Sequence, residues 1–363
     1  MDNIPSSKVS QTVDILRNSI AEGEWVDVLP GERVLTKRLM ISRACLRKAL
    51  IILTQEGILA AARPSKKRVI LKTANPKDAE KKKGRVIFLT PNEAHESTPL
   101  VLQQLAQLRH HLEKARMYVT MVSSAPLKPT KNVKKRLTDL KSSYPNSLWV
   151  LHQTPEHVQC WFAENKVRAT VLGSVFSGID LPYVDIDFKS ASRHATGMML
   201  AKGHTRFALI RFRSHLAGDD CAMAGMLESL TSHSGHENLP EPLVLCHNFH
   251  VERLTNALDA LFFSANSTKA PTAIVVLNHH HFLTTFTHLL SRGVRIPQDV
   301  SIVSLTHDAI FESLSPRPVS YGVGEKLILE LAQMLINPTK LTYRESSLLL
   351  PEPTDGKTVA NKR

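Results

Sequence analysis

Apolar positions recur at helical spacing through the first sixty residues. Val9, Val13, Leu16 and Ile20 fall three or four apart and predict an amphipathic helix over 8–22, ended by Gly23. Pro30-Gly31 opens a second, short helix whose apolar face is Leu35 and Leu39. Met40-Ile41 makes a tight turn, and Ser42 is a good N-cap for a third helix. Leu46, Ala49, Leu50 and Leu53 form the buried face of that helix, and Gly57 closes it. Two apolar stretches, 58–62 and 68–72, then flank a basic segment and predict a β-hairpin.

From Gly84 the pattern changes to short apolar runs alternating with longer amphipathic ones. Strands are predicted over 85–90, 118–123, 148–152, 169–173 and 183–187. A second series follows at 206–212, 242–246, 272–277 and 300–305. Helices are predicted between them at 98–116, 131–143, 155–165, 188–202, 217–232, 250–264 and 280–292. Such alternation predicts an α/β fold with parallel sheets covered on both faces. Two series imply two lobes, with a ligand cleft at the carboxyl ends of the strands. Residues 73–84 contain no large apolar side chain and read as a solvated linker. The expected plan is therefore a head over 1–72, a linker over 73–84 and a two-lobe body over 85–351. Its first lobe takes about 85–187 and 318–338, its second about 188–317 and 339–351, and 352–363 forms a flexible tail.

Charge sharpens the division. The chain of 363 residues carries 46 Lys and Arg against 33 Asp and Glu, a net +13. Residues 1–83 hold ten Lys and seven Arg against four Asp and five Glu, so +8 lies in the first quarter. That balance favours an anionic partner, nucleic acid before membrane surface. The hydrophobic fraction of 42% excludes a mostly disordered chain. Cys45, Cys160, Cys221 and Cys246 are far apart, which argues against a disulfide framework or structural zinc and for a reducing compartment. No signal pattern opens the chain and no apolar run reaches bilayer length, so a cytoplasmic location is expected.

The third helix carries the chemistry of the head. Arg43, Ala44, Arg47 and Lys48 occupy the face opposite its apolar one, and Arg43 and Arg47 point the same way. That arrangement suits a major groove, although a solvated basic face on a small bundle would look the same. The hairpin tip, with Arg63, Lys66, Lys67 and Arg68, makes it a basic wing able to touch phosphates. Together, LRNSIAEGEW and LPGERVLTKRLMISRACLRKALIILTQEGIL resemble the winged helix-turn-helix domain of the GntR family of bacterial regulators over about 9–72. The resemblance implies DNA contacts by Arg33, Ser42, Arg43, Ala44, Cys45 and Arg47. Two positions depart from the family: Met40 stands where Gly is common, and the wing tip Arg63-Pro64-Ser65-Lys66 lacks the usual glycine.

The body resembles the effector domain of LacI/GalR-type repressors, which is related to periplasmic sugar-binding proteins. VDIDFKSASRHATGMMLAKGHTRFALI, PTAIVVLNHHH and SRGVRIPQDVSIVSLTHD carry that resemblance, and 91–165 follows it in pattern only. A GntR-type head on a LacI-type body is the arrangement of arabinose-type repressors. Sugar-responsive members place an Arg where this chain has Ala222 and an Asp where it has His279. The resemblance thus implies effector contacts from Ala222, Asn278, His279 and His307, without the usual pair of groups for sugar hydroxyls. A less hydroxylated or an anionic ligand is expected, an anion gaining as His279 protonates.

No catalytic signature appears. Gly322-Val323-Gly324-Glu325-Lys326 lacks the full phosphate-loop spacing. Asp185 and Asp187 alternate along a predicted strand and so do not form a carboxylate pair. The His279-His280-His281 run, with His288 and His307, is read as a cleft residue among solvated neighbours and not as a metal site. Cys45 is read as a small neutral DNA contact. The expected function is a bacterial transcription regulator, a repressor: no enzyme, no cofactor, no metal. Operator DNA, a second copy of the chain and a small-molecule effector are its expected partners. The alternative is a DNA-binding regulator whose body only dimerises or binds a protein. A nucleotide-binding α/β enzyme ranks third.

Overall fold

The computed structural model describes residues 8–21, 25, 28–39, 41–60, 68–71, 84–91, 99–123, 132–212, 216–232, 239–247, 250–264, 270–337 and 346–362. The chain divides into two compact units, 1–88 with 112–122, and 89–111 with 123–363.

In the first unit, helices α1 (Lys8–Ala21), α2 (Glu32–Leu39) and α3 (Arg43–Gln55) pack around one apolar cluster. Val13, Leu16 and Ile20 of α1 meet Leu35 of α2 and Leu46, Ala49, Leu50 and Leu53 of α3. Each fully buried leucine contributes roughly 1.5–3 kcal/mol, so α3 is held by its inner face and its outer face is left to chemistry. Ser42 caps α3, its hydroxyl oxygen accepting from Cys45 N at 3.2 Å. Gly57, at φ +69, reverses the chain in the left-handed region that other residues avoid. The limbs of the expected hairpin pair antiparallel at Leu59 and Ile70, and Val28 adds a bridge to Val69. Gly23, Met40 and the wing tip lie outside the described residues.

The second unit holds most of two sheets. In one, β11 (Ser347–Leu349), β5 (Tyr183–Ile186), β4 (Ala169–Leu172) and β3 (Leu148–His152) lie side by side and parallel. Strands β1 (Gly84–Thr90) and β2 (Met117–Ser123) complete that six-stranded sheet. The other has the order β12-β10-β9-β8-β6-β7. Its strands are β6 (Phe207–Phe212), β7 (Leu243–His247), β8 (Ala273–Val276), β9 (Ser301–Ser304), β10 (Val319–Gly322) and β12 (Glu352–Pro353). Only β12 runs antiparallel to its neighbour among the pairings seen. Every residue of β3, β4, β8 and β9 is buried, as parallel strands covered on both faces must be.

Alternation along the second sheet sorts its side chains. Phe207, Leu209, Ala273 and Val275 face α7 (Phe188–Ala201) and α8 (Ala217–Ser232). Ala208, Ile210, Ile274 and Val276 face α9 (Val251–Phe262) and α10 (His279–Ser291). Helix α11 (Lys326–Ile336) lies against β5 and β11, and α4 (Pro99–Lys114), α5 (Val133–Ser143) and α6 (Glu156–Glu164) alternate in chain order with the strands of the first sheet. The predicted strands and helices thus appear, with ends shifted by a residue or two.

Three expectations about the chain's course are corrected. Val319–Gly322, assigned to the first lobe, is β10 of the second sheet; Ser347–Leu349, assigned to the second, is β11 of the first. The chain therefore crosses between lobes after β5, after β10 and after β11. The segment 352–362 is no loose tail. Thr358 is fully buried, donates to the Ile302 carbonyl at 2.6 Å and accepts from Val319 N at 2.9 Å. Lys362 N reaches the Lys202 carbonyl at 2.7 Å. Finally, Asp187 leaves the strand and caps α7, accepting from Ser190 N at 2.9 Å.

Candidate nucleic-acid interface and effector cleft

Burial of Leu46, Ala49, Leu50 and Leu53 turns Arg43, Ala44, Arg47 and Lys48 outward, and all four are exposed. Arg33 is exposed on α2. Arg47 is 63% exposed, yet its Nε donates to Glu32 Oε2 at 3.0 Å. That partner, in the Pro30-Gly31-Glu32-Arg33 motif, is missing from the sequence reading. Its signal was a carboxylate on the first turn of α2, where the helix dipole favours negative charge.

Other expected contacts sit differently. Cys45 is half-buried, its sulfur 3.6 Å from Thr12 Oγ1, so its side chain turns toward α1. Its position on α3 lies between the apolar and basic faces, and Thr12 supplies the partner. Ser42 spends its hydroxyl oxygen on the cap. Arg68, placed at the wing tip from sequence, donates back to Thr54 Oγ1 at 3.2 Å. Arg63, Lys66 and Lys67 lie outside the described residues.

In the body, the ends of β8 and β9 bring Asn278, His279 and His307 toward one region. Asn278 and His307 are already engaged, whereas His279 Nε2 is buried without a hydrogen-bond partner among the described residues. Asn278 caps α10, accepting from His280 N at 2.9 Å. His307 Nδ1 pairs with Ser320 Oγ at 2.9 Å. His279 is 5% exposed, and its Nε2 lies 3.6 Å from Asp308 Oδ2. Such an ion pair would need a protonated ring. Burial decides against it, pushing the His279 pKa down to about 4, with His280 acting in the same direction and Asp308 opposing. The ring is therefore neutral near pH 7, which removes the expected gain for an anion. Ala222 is corrected outright: it is fully buried against the α7–α8 contact and offers no surface to a ligand. A small side chain where an arginine was expected falls into the helix packing.

Asp185, set aside in the sequence as one of two alternating strand carboxylates, is a buried carboxyl. Asp185 on β5 is enclosed, accepts from Ser174 Oγ, and is pushed up to about 7 by its burial. The start of α8 approaches the same place: a Cβ on Gly218 would lie 3.0 Å from Ser174 Oγ. Burial and Asp185 together raise the Cys221 thiol. The signal available was a charged residue inside an otherwise apolar strand. Among the described residues, no three His, Cys, Asp or Glu side chains converge to hold a metal, and no helix is long and apolar enough to cross a membrane.

Residues 8–65 match the gntR family of bacterial regulatory proteins, and residues 196–347 match the periplasmic binding protein-like domain. The chain joins a gntR-type domain to a periplasmic binding protein-like domain. Catabolite control protein A of Staphylococcus epidermidis is 22% identical over 215 residues, 59% of this chain. The chain spans 63% of that relative's length. A putative LacI transcriptional regulator from Bacillus cereus subsp. cytotoxis superposes with a TM-score of 0.67 at 20% identity, over 77% of this chain and 99% of its own. Transcription regulator CcpA of Lactococcus lactis gives 0.63 at 14%, over 76% and 99%. At these identities the likeness is one of fold. The chain resembles transcriptional regulators with an N-terminal DNA-binding domain and a C-terminal effector-sensing domain. These matches point to regulator families and not to catalytic domains.

Proposed function

We propose that this protein is a dimeric transcriptional repressor that grips operator DNA with the outer face of α3 and senses an effector in the cleft of its body. One observation carries the reading: Arg43, Arg47 and Lys48 stand exposed on a Ser42-capped helix whose opposite face is locked into the head's core. A rigid helix presenting guanidinium groups suits base edges in a major groove. Arg33 and the wing residues Arg63, Lys66 and Lys67 supply phosphate contacts. The basic head and linker, +8 of a total +13 over residues 1–83, supply attraction. Regulation follows if the effector prefers one arrangement of the lobes, because the chain crosses between them and a second copy doubles the heads.

The cleft's polar groups favour a neutral, sparsely hydroxylated effector. Asn278 Oδ1 and His307 Nδ1 are held in internal bonds, and His279 is neutral. The same observation supports a second reading, in which the body dimerises or binds a protein and senses nothing small.

Footprinting on the protein's own promoter, with anisotropy on specific and scrambled duplexes, tests the head. Arg43→Ala and Arg47→Ala are expected to cost about 1–3 kcal/mol on the specific site and little on scrambled DNA. Lys66→Ala and Lys67→Ala lower both equally. Binding should fall steeply with salt. Equal losses on both duplexes for Arg47→Ala would reduce it to a phosphate contact. A ligand-induced thermal shift separates the sensing body from the merely dimerising one.

A further inference from the structure

A concavity of about 300 Å³ lies at the end of the second sheet opposite the one that carries Asn278 and His307. Arg206, Thr272 and Asp299 line it, standing one or two residues before β6, β8 and β9, whereas Asn278 and His307 follow their strands. Phe263, Pro271 and Val294 give it apolar walls, and Arg292 and Lys362 add charge.

Its charges are unbalanced. Asp299 is the one carboxylate on the lining among the described residues, and Arg295 holds both its oxygens at 2.6 and 3.0 Å. Arg206 spends Nε on the Ala270 carbonyl at 2.8 Å. Arg292 spends Nε on Asp259 at 3.2 Å and lies over the Phe263 ring, 4.7 Å from its centroid. The terminal amino groups of both guanidiniums make no hydrogen bond among the described residues. Lys362 reaches the same place from the pinned C-terminal segment, with its side chain exposed. Helices α9 and α10 end here, each carrying roughly half a negative charge. Together those ends amount to about one unit; with Asp259 beside Arg292 they still fall short of the three formal cations once Asp299 is committed to Arg295.

We propose that this cavity binds a small aromatic carboxylate, independently of the cleft. The carboxylate takes the open amino groups of Arg206 and Arg292 as a charge-assisted pair, with Lys362 closing over it. The ring packs on Phe263, Pro271 and Val294. The volume sits at the small end of ligand pockets, roughly 300–1,000 Å³, so a single ring fits and a dinucleotide does not.

Titration calorimetry of the full chain with benzoate, and with benzamide as its neutral counterpart, tests the site. Benzoate is expected to saturate, benzamide to bind at least about tenfold more weakly. Arg292→Gln should cost about tenfold and Lys362→Gln a few-fold, while His279→Ala in the cleft leaves benzoate affinity unchanged. Lys362 is exposed, so Lys362→Gln keeps the test open if Arg292→Gln misfolds. No saturable benzoate binding in the millimolar range, equal binding of the two probes, or indifference to both substitutions would overturn the proposal.

Discussion

Arg47 Nε donates to Glu32 Oε2 at 3.0 Å, tying the start of α2 to the exposed face of α3. The pair is largely solvated, so its weight in folding is about 0–1 kcal/mol. Its weight in binding is larger, because a guanidinium that reads a base must leave or share its carboxylate, and that carboxylate repels phosphate. Glu32→Gln should leave the melting temperature nearly unchanged and tighten binding to the specific duplex several-fold. Fluorescence anisotropy at fixed salt checks it. An unaltered affinity would take Arg47 off the DNA.

The parts of this molecule legible in sequence are those written by periodicity. Ser42 followed by Leu46, Ala49, Leu50 and Leu53 defines α3, and the apolar run at 273–276 defines a strand buried on both faces. What periodicity does not carry is pairing between distant segments. Val319–Gly322 and Ser347–Leu349 have four and three residues, too few to state which sheet they join. The C-terminal segment has no large apolar run; Thr354 and Thr358 hold it through hydroxyl bonds to β9 and β10. In the sites the same limit applies. The basic face of α3 was legible, whereas the inward turn of Cys45 depends on Thr12, 33 residues away. Asp185 is enclosed by Ser174 and the start of α8, contacts that no local pattern encodes.

Gly225 marks the closest approach of α7 and α8. A Cβ there would overlap the Lys189 carbonyl oxygen and lie 3.1 Å from Arg193 N. Both obstacles are backbone, so neither yields by a rotamer change. Gly225→Ala is expected to destabilise the body by about 1–3 kcal/mol or more, despite its better helix propensity. Urea denaturation measures this. A stabilised variant would show that the helices separate freely.

The C-terminal segment should behave as part of the second lobe. Thr358→Val keeps the shape but leaves Val319 N and the Ile302 carbonyl each short of a partner in a buried place. Leaving buried groups unpaired costs about 1–3 kcal/mol each. His204 depends on the same segment, its Nε2 lying 3.0 Å from the Ala360 carbonyl and its Nδ1 3.1 Å from Thr272 Oγ1. Thr358→Val is therefore expected to lower the melting temperature and speed amide exchange at Ile302 and Val319. Exchange unchanged at both amides would return the segment to a loose tail.

Asp185 should make stability fall with rising pH in a window where carboxylates usually do the reverse. Its folded pKa, pushed up to about 7, lies above the ordinary value, so the native state binds a proton that the unfolded chain releases. The stabilisation is complete below about pH 4 and is lost as pH rises through about 7. His152 and His279, both pushed down to about 4 by burial, act oppositely: the unfolded chain binds their protons first, so stability rises with pH between about 4 and 6.5. The whole-protein profile therefore mixes the two signs, and the difference between two variants isolates one. Asp185→Asn keeps the shape and an acceptor for Ser174 without a titrating proton. Near about pH 4 and below it should match the parent closely. By about pH 8 it should be the more stable by roughly 2–4 kcal/mol, because only the parent then carries a buried charge. Urea melts at about four pH values spanning that range measure the difference. A constant gap would show that Asp185 is already ionised at about pH 4 and that Ser174, with the start of α8, compensates its charge.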